Sequence, residues 1–215
     1  MKKNLVKALL LGAAAGFLCI IAPNGSYNNI PVAIYQNPFN ITVFYLIFFA
    51  IQADHIYEHA IYDIRFKTTP AAKLHILWMM IKSEFIYVMA YFICSCVLSY
   101  AMSPESAALF FEPFRCMLFL VTALSNSAIL NILFVNINYL ARKNTVFFME
   151  AVIILSGLAL CFSAPSVVPY ICIWYYGVYP KLTVSPILSV FVYSVWTGAA
   201  LLIGFIPRKD ILGRE

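Results

Sequence analysis

Long apolar runs set the terms on which this chain can fold. Stretches such as 85–102, 114–140 and 186–206 approach or exceed the roughly 18 to 20 residues that cross a bilayer as a helix. Only 11% of the 215 residues are charged and 63% are hydrophobic, whereas a soluble domain carries about 25% charged residues. Eighteen Phe and fourteen Tyr leave too little polar surface to cover a water-facing globule. The sequence predicts an all-α, polytopic integral membrane protein, and a freestanding soluble enzyme is the first reading to drop.

Turn signals divide the chain into six expected transmembrane helices, about 5–22, 41–57, 83–102, 114–140, 146–164 and 186–206, within a single transmembrane domain of residues 1–215. Pro23-Asn24-Gly25 ends the first span, Ser103-Pro104-Glu105 the third and Pro165 the fifth. Arg142-Lys143-Asn144 separates the fourth from the fifth. Thr69 before Pro70 reads as an N-cap followed by proline at the first helical position, so a helix begun there runs through Trp78 into the third span. The stretch 166–185 is broken by Pro169, Gly177 and Pro180 and is rich in Trp174, Tyr175, Tyr176 and Tyr179. It suits a short re-entrant or interfacial helix at headgroup level. Lys2, Lys3 and Lys7 before an apolar run resemble the start of a signal peptide, but Leu18 before Cys19 does not fit a lipoprotein cleavage site. The run is therefore expected to remain as the first span.

Charge gives the orientation. With the amino terminus in the cytoplasm, 12 of the 14 Lys and Arg residues fall on the cytoplasmic side, and only Arg115 and Lys181 fall outside it. The positive-inside rule is then met at every loop, and both termini are cytoplasmic. Basic residues are too dispersed for a nucleic-acid face. The six Cys include no C-x-x-C pair, and most sit in apolar runs as small packing residues.

Few patterns carry chemistry. No G-x-x-x-x-G-K-[ST] loop is present, and the cytoplasmic segment, about 58–82, is far below the ~100 residues of a typical domain. Any ATP must be hydrolysed by another chain. His55-Ile56-Tyr57-Glu58-His59 matches H-x-x-E-H, which on a helix puts two imidazoles on one face with Glu58 nearby and Asp63 a turn beyond. An interfacial helix meeting water and headgroups explains the same residues with less, and no metal is expected. Gly12 and Gly16 form a G-x-x-x-G surface for close helix approach, either within one subunit or between two. The fourth span is rich in amides. Asn126, Asn131 and Asn138 are candidates for a substrate path, though hydrogen bonding between helices is the simpler role. No acid is expected near the middle of a span, which argues against a proton-coupled carrier. No Ser or Cys nucleophile has an evident base, so no catalytic residue is assigned.

Between the second and third spans stands Tyr62-Asp63-Ile64-Arg65-Phe66-Lys67-Thr68-Thr69-Pro70, followed by Lys73 and Trp78. With the six spans, cytoplasmic termini and irregular stretch before the last span, this organisation resembles the small six-helix permease subunits of type-2 ATP-binding-cassette (ABC) exporters. In bacteria these often move peptides or antimicrobial compounds. The resemblance implies a multi-pass protein of the bacterial cytoplasmic membrane that pairs with a second permease chain, identical or not, and with a soluble ATPase subunit. ATP and Mg²⁺ would be held by that ATPase, and this chain would hold no cofactor. Asp63, Ile64, Arg65, Phe66 and Lys67 would form the segment that couples to the ATPase. Two rival expectations stand beside it: the substrate-binding membrane subunit of a vitamin importer, and a membrane-embedded metal-dependent hydrolase built on His55, Glu58 and His59.

Overall fold

A computed structural model of the chain describes residues 2–21, 38–57, 69–102, 113–140, 143–164, 166–168, 172 and 186–205. Among the described residues the architecture is all-helical. Six helices follow one another: α1 Lys2–Ile21, α2 Pro38–Tyr57, α3 Thr69–Met102, α4 Pro113–Leu140, α5 Lys143–Ser163 and α6 Pro186–Gly204. Four of them have proline in the first turn, at Pro38, Pro70, Pro113 and Pro186. The first backbone N–H groups of a helix have no partner within it, so proline costs nothing there and its fixed φ helps. Thr42, buried in the first turns of α2, satisfies its hydroxyl by donating from Oγ1 to the Pro38 carbonyl at 2.8 Å. The helix expected from Thr69 is present, and it runs unbroken for 34 residues, about 51 Å. Residues 69–82, expected in the cytoplasmic segment, are thus the first turns of α3, and Ala72, Ile76, Met79 and Met80 are buried in the bundle.

Side-chain contacts give the helix directions. Gly12 and Gly16 of α1 lie against Tyr87 and Tyr91 of α3, so the two helices run parallel. Tyr87 bonds to the Phe44 carbonyl while Gln52 bonds to Met80, which makes α2 and α3 antiparallel. Asn131 meets Glu84 and Asn136 meets Lys73, so α3 and α4 are antiparallel as well. Asn126 meets Tyr193 and Asn136 meets Ala200, so α4 and α6 are parallel. The fifth helix packs mainly against α2.

The core is aromatic. Phe44, Tyr45, Phe48 and Phe49 of α2 interlock with Tyr87 and Tyr91 of α3, and Phe49 packs edge-on against Phe134 of α4 at 4.5 Å. Beyond this core the usual arrangement is inverted. Leu10, Phe17, Leu74, Trp78, Val97, Phe148, Phe162 and Leu202 point outward and are exposed. Gln52, Ser83, Glu84, Asn126, Ser127 and Asn131 are buried. In water such an outer surface would be a large apolar patch, whereas in lipid it is the solvated face. Two segments, Pro70–Leu98 and Leu120–Ile137, are long and apolar enough to cross a membrane, and four other helices carry shorter apolar stretches.

Candidate functional site

The buried polar residues form one seam, and its spacing comes from α4. Asn126, Ser127, Asn131 and Asn136 are all buried and turn toward the other helices. From Asn126 to Asn136 the seam spans about 15 Å. At one end the Nδ2 of Asn136 donates to the Ala200 carbonyl of α6 at 2.8 Å. There the Nζ of Lys73 donates to Asn136 Oδ1 at 3.3 Å and to the Gly204 carbonyl at 3.4 Å. A lysine at the last carbonyls of a helix satisfies acceptors that lack helical donors and complements the helix dipole.

One step further in, Gln52 of α2 donates to the Met80 carbonyl at 3.3 Å and accepts from Ser83 Oγ at 3.3 Å. Beside it, Asn131 Nδ2 donates to Glu84 Oε2 at 2.5 Å. Glu84 is 2% exposed. It lies about 22 Å from the start of α3, near the middle of that 34-residue helix, whereas no acid was expected near the middle of a span. The physical reason is rotation about the helix: Lys82 turns outward and sits 4.9 Å from the Trp78 ring, and two residues later the side chain faces the opposite way.

At the far end the Tyr193 hydroxyl of α6 donates to Asn126 Oδ1 at 2.6 Å. The Tyr45 hydroxyl of α2 faces Asn126 and Ser127, with Glu84 and Tyr193 within electrostatic reach. Tyr193 also lines a groove of about 520 Å³ on the flank of α6, together with Val190, Ser194 and Thr197. One ring is therefore shared by the outer groove and the inner seam.

Of the residues singled out by sequence, Asn126 and Asn131 are brought together in this seam, while the side chain of Asn138 lies outside the described ones. Gly12 and Gly16 are used within the chain, against α3. His55 is buried near the end of α2. Glu58, His59 and the segment Asp63, Ile64, Arg65, Phe66 and Lys67 lie outside the described residues, as does nearly all of 166–185. Among the described residues no three His, Cys, Asp or Glu side chains gather as a metal site. Sequence reading missed Tyr45, Glu84 and Tyr193, which no motif marks. The one available signal was that Glu84 follows Lys82 by two positions and so must point elsewhere. The seam offers one carboxylate, several amides and hydroxyls, and aromatic walls, which suits holding a polar or charged group between helices. No family model, no curated protein and no solved structure matches this chain.

Proposed function

We propose that this protein is the membrane-spanning permease subunit of an ATP-driven exporter, crossing the bacterial cytoplasmic membrane six times with both termini in the cytoplasm. The observation that carries the reading is the agreement between helix direction and charge. The pairwise contacts place the start of α1, the end of α2, the start of α3 and the ends of α4 and α6 at one end of the bundle. That end is where most of the basic residues belong by sequence, Lys82 standing about 20 Å further along α3. A helical bundle with an apolar exterior, one basic end and a buried polar seam is suited to passing a molecule across lipid.

With no phosphate-binding loop in the chain, the energy comes from a separate ABC ATPase that holds ATP and Mg²⁺. Binding and hydrolysis shift the permease and its partner permease between access states. The segment Asp63–Lys67 meets the ATPase, with Ile64 and Phe66 as apolar anchors beside Asp63, Arg65 and Lys67. The cargo is a peptide or an amphipathic compound moved outward. The test is purification of the tagged chain from its native membrane in mild detergent. A soluble ATPase is expected to co-purify with the native chain and to be lost from the Ile64→Asp, Arg65→Glu double variant, which stays in the membrane. An ATPase that never associates, or one that associates equally with the variant, sinks the respective part of the reading.

A further inference from the structure

A positive charge stands on the face of α3 that turns away from the bundle. Trp78, Phe85, Ile93 and Tyr100 are all exposed, and at 3.6 residues per turn they share one stripe with Lys82. The opposite face of the same turns, with Met80, Ser83 and Glu84, is buried. In a membrane that outer stripe meets lipid, where rings and aliphatic side chains are at home and an ammonium group is not.

The Lys82 side chain relieves part of this cost by its direction. Helical side chains lean toward the start of their helix, and the Nζ of Lys82 lies 4.9 Å from the centre of the Trp78 ring, one turn nearer the start of α3. The charge distribution makes that end the cytoplasmic one. At about 51 Å, α3 outruns the ~30 Å of hydrocarbon, so some of its turns lie among headgroups. A lysine reaching back along an apolar stripe to an exposed indole is the pairing that suits this boundary.

The protein supplies neither residue with an acceptor. Among the described residues no oxygen accepts from the Lys82 ammonium or from the Trp78 indole N–H. The nearest carboxylate in sequence, Glu84, is turned into the bundle and bonded to Asn131. Two donors, one of them cationic, therefore stand together on an outward face, with the exposed Phe85 ring two turns further along. A ligand that combines negative charge, acceptor oxygens and hydrocarbon matches all of these features.

We propose that Trp78 and Lys82, with Phe85 beside them, form a docking site for an anionic phospholipid of the cytoplasmic leaflet. Its phosphate takes the ammonium and indole donors, and its acyl chain lies along Phe85. The inference goes beyond the exporter reading and needs only that α3 cross the membrane with its start in the cytoplasm.

The test uses the full chain with Trp174→Phe and Trp196→Phe, which leaves Trp78 as the one tryptophan. It is placed in nanodiscs of equal parts phosphatidylglycerol and phosphatidylcholine, with one lipid or the other brominated in its acyl chains. Quenching of the Trp78 fluorescence then reports which lipid lies beside it. Phosphatidylglycerol is expected to be enriched about fivefold over phosphatidylcholine. Lys82→Gln should bring the ratio close to one, while Lys209→Gln, which removes a basic residue elsewhere on the cytoplasmic side, should leave it unchanged. Equal quenching by the two lipids overturns the proposal, and so does an absence of quenching by either. An enrichment that survives Lys82→Gln overturns it too, and one that falls as far in Lys209→Gln shows a diffuse basic surface in place of a site. Where the single-tryptophan chain does not fold, native mass spectrometry of the unaltered chain and of Lys82→Gln decides. Retained phosphatidylglycerol should drop in the variant, and equal retention overturns the site. An ATPase that never associates sinks the exporter and leaves this site standing.

Discussion

A methyl group added at Gly12 would lie 2.5 Å from the Tyr87 carbonyl oxygen and 2.9 Å from the Ala90 Cβ. At Gly16 it would lie 2.8 Å from the Tyr91 carbonyl oxygen. Both obstacles include backbone, which cannot swing aside as a long side chain can. Gly12→Ala and Gly16→Ala should therefore each destabilise the bundle by about 1–3 kcal/mol, read as a lower midpoint of thermal unfolding in detergent. Gly198 is the internal control, because nothing lies within 4 Å of its added Cβ. Gly198→Ala should be neutral, or favourable by up to about 1 kcal/mol from helix propensity. A loss at Gly198 as large as at Gly12 would refute the close-approach account. The G-x-x-x-G spacing was legible in the sequence, but its partner was not, because a missing side chain says only that something comes close. Tyr87 and Tyr91 decide that the partner is α3.

Helix starts were the most readable elements, since Pro38, Pro70, Pro113 and Pro186 each mark a first turn. The fault lay in treating the dense charges up to Glu84 as the edge of a span. Charge on a helix is sorted by face as well as by position, so Lys82 and Glu84 have opposite fates within one turn. The first turns of α3 also hold another helix. Lys73 joins them to Asn136 and to the Gly204 carbonyl at the end of α6. Lys73→Met should remove both bonds at a cost of about 0.5–2 kcal/mol. It should speed amide hydrogen exchange in the last turn of α6, residues 201–205, while α1 is unaffected. Exchange that rises equally in α1 would mean a global loosening and would refute a local link. Asn136→Leu should expose the same turn and cost more, about 1–3 kcal/mol, because the Ala200 carbonyl then loses its buried side-chain donor.

At the scale of the molecule, the helix directions make a claim about sidedness that neither charge nor contact makes alone. That α1 runs parallel to α3, that α2 and α4 both run antiparallel to α3, and that α6 runs parallel to α4 follow from hydrogen bonds and close approaches that know nothing of lipid. Lys73 apart, the Lys and Arg residues play no part in those contacts, yet their distribution selects the same end. If both reflect one orientation in the bilayer, the ends of successive helices must alternate between the two sides. Reporters fused after Ile21, Met102 and Ser163 should give active alkaline phosphatase and no green fluorescence. Those fused after Tyr57, Leu140 and Gly204 should give the reverse. Two successive fusions on the same side would mean that the intervening helix does not cross, and would remove the six-span arrangement on which the exporter reading stands. Neutralising Lys2, Lys3 and Lys7 should leave the pattern unchanged, because the basic residues after α2, α4 and α6 still hold that end in the cytoplasm. An inverted pattern in that variant would show that the first helix alone sets the topology, and that the remaining basic residues follow the orientation without imposing it.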